Sequence, residues 1–570
     1  MRKIIISILL LVLTSSIILP ITVQAADKDY SNYKKAIDLK ILGLFMGDET
    51  GFSLDRAPTR IEGACMLVRL LGKDEEANKL KLEHPFTDVP KWADNQIGYM
   101  YKNGLTTGIG NTLFGSDQKL SAEQYTTFIL RSLGYDDNKG DFQIGSALEK
   151  AVLIGLLDSK EAEALKSRNL FLRNDLAGIS YSALKAKLKG GGLTLLDKLV
   201  TQDKAISKEA ARILGLYTSD LQEEIGGIEE YSAAASGIGY IVKNSTDLFK
   251  LLRKMLYETK RGFSIDYSGY AGSISDDFNS VCERAIEAVE LNTGVEGFFD
   301  YGAFKGVSKG SGTIAFVYNF SESEFQKRKQ WTKEMVGKAK YIIMRIIRAD
   351  MTDYEKELAI HDYIIKNAKV DNTADLSTIS PASSFTAYGC LVLGLATCEG
   401  YSKAVKLLFD LTGMECSLAY GEAYGDGSKL TPHYWNIVNI GGRYYHLDVT
   451  FDDPVSNENT LTYYHFNLTD KDMSRLCKWE NAGYPACNST ELNYYYKNGL
   501  VVNNVAEFEA AVQKAVSQKK RGLELRIKDY SAGAVKDLSK IIFKSGTVSS
   551  YKATRSEDFE IIAITDIKYR

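Results

Sequence analysis

A thiol, an imidazole and a carboxylate follow one another along this chain as Cys398, His433 and Asp448. Cys398 stands in Ala-Thr-Cys-Glu-Gly-Tyr-Ser (396–402), ahead of the apolar positions Ala404, Val405, Leu407 and Leu408, a pattern that places the thiol at a helix N-terminus. A helix dipole favours a thiolate there, and a neighbouring imidazolium favours it further. His433 opens His-Tyr-Trp-Asn-Ile-Val-Asn-Ile (433–440), and Asp448 lies in Tyr-Tyr-His-Leu-Asp-Val-Thr (444–450). These are the parts of an activated sulfur nucleophile. One cysteine at a helix start is by itself better read as a buried structural thiol; the His and Asp that follow at short range favour the nucleophile.

The elements needed to bring these groups together can be read from the same stretch. The five histidines are His84, His361, His433, His446 and His465. Gly441-Gly442 is a two-residue hairpin turn between two alternating strands. With that turn Ile440 faces Arg443, Trp435 faces Asp448 and His433 faces Thr450. Side chains alternate, so His433, Trp435, Asp448 and Thr450 share one face, and His446 lies on it too, one step nearer the turn. His433 and Asp448 are then diagonal neighbours at about 7–8 Å between Cα atoms, within side-chain reach. A slip of one residue would separate them. His361 falls in the amphipathic helix 351–365, opened by a Thr352/Glu355 capping box, and reads as a packed or solvated residue.

These segments carry a resemblance. Thr-Ala-Tyr-Gly-Cys-Leu (386–391), the Cys398 and His433 strings, Tyr-His-Leu-Asp-Val-Thr-Phe-Asp-Asp-Pro (445–454) and Tyr-His-Phe-Asn-Leu (464–468) resemble the bacterial transglutaminase-like superfamily over about residues 345–480. The resemblance implies a papain-like α+β core with Cys398 as nucleophile, His433 as base and Asp448 as its orienter. The implied reaction is attack of the thiolate on an amide carbonyl of a protein or peptide, with the thioester passing to an amine or to water, so the acceptor stays open between transglutaminase and cysteine peptidase. Backbone N–H groups near Cys398 would hold the oxyanion. Tyr388 and Trp435 read as walls of a substrate pocket, and equally as core aromatics. Phe451 stands where Trp is common in such sequences.

The first two hundred residues repeat themselves. Phe52 leads to Thr59-Arg60-Ile61-Glu62 and a helix, and Phe114 leads at the same spacing to Ser121-Ala122-Glu123-Gln124 and another. Pro85-Phe86-Thr87-Asp88-Val89 opens the second copy, and a weaker third runs from Ala147 to Leu172-Arg173-Asn174-Asp175. Thr59 and Ser121 are natural N-caps, and Glu62 completes a capping box. The pattern resembles three S-layer homology repeats, at residues 26–80, 85–140 and 141–215, the last divergent. That resemblance implies an α-helical module docking on a secondary cell-wall polysaccharide, with Arg60 and Arg173 as binding residues. Ala122 stands where the middle repeat should carry Arg, which would weaken or retune one of three grooves.

Residues 192–225 read as short helices, and the Gly- and Ala-rich stretch 226–239 as a linker. Asn244 and Asn504 each open a helix, glycine C-cap and strand (Arg261-Gly262-Phe263 and Arg521-Gly522-Leu523), so two copies of one small α+β module, 240–345 and 491–570, flank a catalytic domain at 346–490. The fold class is therefore multidomain: a helical repeat module plus an α+β core flanked by small α+β modules.

Composition bounds the rest. A chain of 570 residues is too long for one domain. With 45% apolar and 25% charged residues and a net charge of −3, it is an ordinary globular protein with no reason to bind nucleic acid. Arg2-Lys3, the apolar run Ile4 to Leu19 and Val23-Gln24-Ala25 make residues 1–25 a signal peptide, so the mature protein starts at Ala26, is exported to the cell wall or S-layer and keeps no transmembrane anchor. Seven cysteines are an odd count for an exported protein. Cys477 and Cys487 flank a loop and could pair; Cys65 and Cys282 sit in helical patterns and read as buried thiols. No CxxC, HExxH or calcium-loop pattern occurs, so neither a metal nor a cofactor is implied. Two rival functions remain, a non-enzymatic surface scaffold and, more weakly, a glycan hydrolase. Against the hydrolase, Asp452 and Asp453 would point apart in a strand.

Overall fold

The computed structural model describes residues 31–47, 51–217, 230–231, 239–293, 299–308, 310–319, 321–373, 382–424, 430–453, 461–480, 483–528, 537–556 and 560–570. The expected signal segment and most of the expected linker lie outside the described residues. The chain divides into one unit of Met1–Lys40 and Leu44–Leu195 and another of Ile41–Gly43 and Leu196–Arg570. No helix among the described residues is long and apolar enough to cross a membrane.

In the first unit three helices, Arg60–Leu70, Ala122–Ser132 and Arg173–Lys185, start at equivalent repeat positions. Thr59 and Ser121 cap the first two, each in a capping box, so Gln124 does the work of the Glu expected there. The first and third helices dock on neighbouring loops in the same way. The N–H of Arg60 donates to Gln118 O and its Nε to Phe114 O; the N–H of Arg173 donates to Arg56 O and its Nε to Phe52 O. The Arg60 guanidinium lies 5.0 and 4.8 Å from the rings of Phe114 and Phe128, and that of Arg173 lies 5.2 Å from Phe45. With only 6% and 8% of their surface exposed, both side chains are spent inside the unit. Ala122 offers no guanidinium at the equivalent position, and a cavity of about 380 Å³ opens there, bounded by Ala57, Lys119, Glu123, Leu148, Arg168 and Phe171. Asp88 accepts the N–H groups of Phe114, Gly115 and Ser116, which outweigh its burial and hold it below the usual carboxylate range.

Among the described residues, the second unit contains four sheets. Strands β1 (Glu230–Tyr231), β2 (Gly239–Ile241), β3 (Gly262–Asp266), β4 (Phe299–Ser308) and β5 (Ser311–Tyr318) lie in the order β1-β2-β3-β5-β4. A short ladder joins β6 (Lys369–Val370) and β7 (Leu395–Ala396). The central sheet is β10-β9-β8-β11, from β8 (Cys416–Tyr424), β9 (Leu430–Ile440), β10 (Arg443–Leu447) and β11 (Cys477–Lys478). The last sheet runs β12-β13-β15-β14, from β12 (Val501–Val502), β13 (Leu523–Ile527), β14 (Val548–Ser556) and β15 (Ile561–Tyr569). The first and last sheets share a pattern: β2 and β3, like β12 and β13, are parallel, and the following pairs are antiparallel. In both, an Asn caps the intervening helix, Asn244 before Ser245–Tyr257 and Asn504 before Val505–Ser517. The expected glycine C-caps do not occur. The chain reverses instead at Thr259 and Lys519, both with φ of 53°, while Gly262 begins β3 and Gly522 precedes β13.

The Cys398–Thr412 helix packs on β8 and β9 through a buried face that includes Tyr401, Ala404, Val405, Leu408 and Phe409. Asn436 of β9 donates to Ser402 O of that helix at 3.0 Å. The hairpin register is the one its turn requires: Arg443 pairs with Ile440, through Gly441 and Gly442 at φ of 63° and 80°, and Leu447 with Asn436. The helix Asp353–Asn367 begins, as expected, in the Thr352/Glu355 capping box.

Candidate active site

Cys398 is the first residue of its helix and is partly exposed. The N-cap, Thr397, does not cap the helix with its side chain. Its N–H and its Oγ1 both donate to Ser384 O instead, at 2.9 and 3.2 Å. A β-carbon on Gly400 would lie 2.5 Å from Ser384 O and 2.9 Å from Thr386 O, so only glycine lets the 384–386 loop lie this close to the first helical turn. A helix start without a side-chain cap leaves its first N–H groups available to a developing oxyanion.

His433 is 5% and Asp448 1% exposed, and Asp448 Oδ2 lies 2.6 Å from His433 Nε2. Nδ1 is therefore the ring nitrogen left for the thiol, and the Cys398 sulfur is among the groups near enough to favour the charged imidazole. Burial disfavours the charged ring, but the Asp448 carboxylate and then the Cys398 sulfur outweigh it and raise His433 to about 10. Two aromatics lie nearly parallel to the ring. Phe451 stacks on it at 4.2 Å and 12°, and Trp435 at 6.1 Å and 17°.

Asp448 reaches His433 by a different route from the one read off the strands. The ladder ends at Leu447, so the expected pairs Trp435–Asp448 and His433–Thr450 do not form. Asp448 is instead the N-cap of a short helix, Val449–Asp452: its Oδ1 accepts the N–H of Phe451 at 3.1 Å, leaving Oδ2 for the imidazole. A carboxylate at a helix N-cap is fixed by the backbone, and this fixes the base in turn.

Trp435, read as a pocket wall, is wholly buried behind the imidazole. Its indole N–H donates to His446 Nδ1 at 2.9 Å, and His446 Nε2 lies 2.8 Å from Asp470 Oδ1. Indole only donates, so His446 carries its proton on Nε2, aimed at Asp470. His446, Asp470 and Cys487 place ligand-type atoms within 4.8 Å of one another, but that proton makes the trio a hydrogen-bonded support for Trp435. Tyr388 stacks on Trp331 at 5.1 Å and donates to Glu334 Oε2 at 3.1 Å.

Cys477 and Cys487, which could have paired across their loop, are both free thiols. Burial pushes Cys282 up to about 11 and Cys65 and Cys487 to about 12, and raises Cys390, Cys416 and Cys477 as well. Asp452 and Asp453 lie at the end of a helical turn, not in a strand. Their carboxylates diverge, Asp452 towards His361 and His465, Asp453 towards the Tyr401 hydroxyl at 2.5 Å. The strand expected through Thr450 hid the link of Phe451 and Asp452 to His433, and the sequence held no sign that His361 and His465 meet Asp452. The four-residue spacing of Asp448 and Asp452 was the available sign of a helical turn.

Residues 340–449, which include all three candidate residues, match the transglutaminase-like superfamily. The cell surface protein of Thermoanaerobacter kivui is 30% identical over 210 residues, 35% of this chain and 26% of that protein. The middle cell wall protein of Brevibacillus brevis is 24% identical over 170 residues, 29% of this chain and 16% of that protein. The chain thus spans 26% or less of the length of these relatives. A solved structure described as a TGase aligns at 12% identity and a TM-score of 0.18, covering 39% of this chain and 62% of its own. Within a larger assembly of helices and sheets, the chain carries a transglutaminase-like domain.

Proposed function

We propose that this protein is a thiol acyltransferase or amidohydrolase acting on protein or peptide substrates at the cell surface. The observation that carries the reading is the buried imidazole: Asp448 holds Nε2 at 2.6 Å, which leaves Nδ1 for a thiol, and Cys398 stands at a helix start without a side-chain cap and is among the groups that favour the charged ring. In that arrangement His433 takes the thiol proton and stores it as an imidazolium stabilised by Asp448. The Cys398 thiolate attacks the amide carbonyl, the C–N bond breaks, and His433 returns the proton to the leaving amine. The thioester then passes to an incoming amine or to water, whose proton returns to His433. The uncapped N–H groups at the start of the Cys398–Thr412 helix support an oxyanion site there.

Incubation with a casein-like substrate and a fluorescent primary amine tests the reading. Incorporation identifies a transferase and fragments identify a peptidase. Neither, with folded protein, removes the reading in favour of a scaffold.

For location, the names of the two relatives support attachment to a cell wall. The first unit is proposed to be an S-layer homology module that docks on an acidic wall polysaccharide. Arg60 and Arg173 would act there by setting the loops they bind, not by direct contact. Sedimentation with isolated walls, lost when the walls are stripped of acidic polysaccharide, is the expected result; unchanged sedimentation with stripped walls contradicts it.

A further inference from the structure

Behind the imidazole lies a second charged cluster that the reaction above does not use. Asp452 is wholly buried and holds two imidazoles. Its Oδ1 accepts the backbone N–H of His465 at 3.0 Å and lies 2.9 Å from His465 Nδ1, while its Oδ2 lies 3.2 Å from His361 Nε2. The other nitrogen of His361 is 3.2 Å from Asp362 Oδ1. A ring with a carboxylate at each nitrogen donates through both and so is an imidazolium. Tyr463 stacks on it at 5.2 Å, and Phe466 meets it edge-on at 5.1 Å. A buried ion cluster of this kind is at best neutral for stability beside apolar packing of the same volume. Its presence under a candidate active site points to a geometric task.

The backbone shows which task. The N–H of Asp448 donates to His465 O at 3.1 Å, and Asp448 O accepts the N–H of Asp452 at 3.2 Å. Phe451, between them in the chain, stacks on His433 and also meets the His465 ring at 5.3 Å. Asp452 thus ties together the helix Asp353–Asn367, the helical turn after Asp448 and the 462–465 segment, and both backbone groups of Asp448 are held by residues of that clasp.

We propose that Asp452, clasped by His361 and His465, is a positioning residue that holds Asp448 and the plane of Phe451 so that the His433 imidazole stays aligned with Cys398. The inference rests on the thiol-enzyme reading, and its test separates the two. The measurement is the rate of alkylation of Cys398 by iodoacetamide against pH, in the full chain, with peptide mass spectrometry to assign the label and circular dichroism to check folding.

In Asp452→Asn the amide can still accept from His465 but turns an N–H towards His361, whose ring also donates there. Cys398 is expected to react about tenfold slower at neutral pH, with its pH profile moved towards that of an ordinary thiol. His465→Ala should slow it likewise. His465→Asn, which restores an N–H donor where Nδ1 stood, should recover the wild-type rate and profile, a rescue that simple loss of packing would not give. If Asp452→Asn does not fold, the His465 pair decides. Variants within twofold of wild type with unchanged profiles, or an Asn variant as slow as the Ala variant, overturn the clasp while the thiol-enzyme reading stands on a fast wild-type Cys398. A wild-type Cys398 no faster than the other six cysteines overturns both.

Discussion

Replacing Asp448 by Asn is the sharpest perturbation of the proposed relay, because it preserves shape and removes one charge. Asparagine is as good an N-cap as aspartate, so Oδ1 can still accept the N–H of Phe451 and the short helix should persist. What changes is the other end. The amide N–H₂ now faces His433 Nε2, which must accept, so the ring proton moves to Nδ1 and points at Cys398. The thiol then has no base. In the wild type, His433 stands at about 10 against an ordinary 6.5. That difference corresponds to roughly 5 kcal/mol at about 1.4 kcal/mol per tenfold. Asp448 does most to raise the ring, and loss of one hydrogen bond to a charged partner should cost about 2–3 kcal/mol or roughly 30- to 150-fold in the thiolate–imidazolium population. Second-order alkylation of Cys398 at pH 7, followed by mass spectrometry with urea unfolding as a control, reads this directly. An Asp448→Asn protein that is folded and alkylates within twofold of wild type would refute the reasoning.

Other predictions follow from groups around the site and in the first unit. Glu357 is wholly buried, and burial raises it to about 8 against the opposing Asn467 and His361. Asn467 Nδ2 donates to its Oε2, while Glu357 Oε1 has no partner among the described residues, as suits a carboxyl that burial keeps protonated. A carboxyl raised on folding stabilises fully below about 4.5 and loses that contribution as pH rises through about 8. Glu357→Gln should therefore remove a decline on the order of a few kcal/mol between pH 5 and 8.5, read from urea midpoints; an unchanged pH slope contradicts it. Arg60→Ala loses the bond to Phe114 O and the contacts with two rings, and should destabilise the first unit by about 2–4 kcal/mol in thermal unfolding, against a change below about 0.5 kcal/mol for a solvent-facing ligand contact. Cys398→Ala should abolish amine incorporation or cleavage while leaving the unfolding midpoint nearly unchanged; residual activity in that variant would place the nucleophile elsewhere.

How much of this was legible in the sequence depended on whether a local rule governed the residue. The Gly441-Gly442 turn fixes a hairpin register by geometry alone, so the pairing of Ile440 with Arg443 followed from two letters. The helix start at Cys398 and the capping boxes at Thr59 and Thr352 are equally local. Asp448 was found for a partly wrong reason. Alternation put it beside His433, whereas the chain leaves the strand at Leu447 and delivers the carboxylate from an N-cap. Long-range packing was hidden. Nothing in the string shows that the Nε groups of Arg60 and Arg173 donate to the carbonyls of Phe114 and Phe52, repeats away. His361 looked ordinary because Asp452 lies 91 residues off in the chain. The loop between Cys477 and Cys487 left their pairing open, and each thiol is buried and free.

The central claim is that folding makes Cys398 chemically unlike the other six cysteines. Competitive labelling of the native protein with a limiting thiol-directed probe at pH 6.5, quantified peptide by peptide in wild type and His433→Ala, tests it most directly. The expected outcome is label concentrated on Cys398 in the wild type and lost from it in the variant. Label spread by exposure alone, the same in both proteins, would contradict the account.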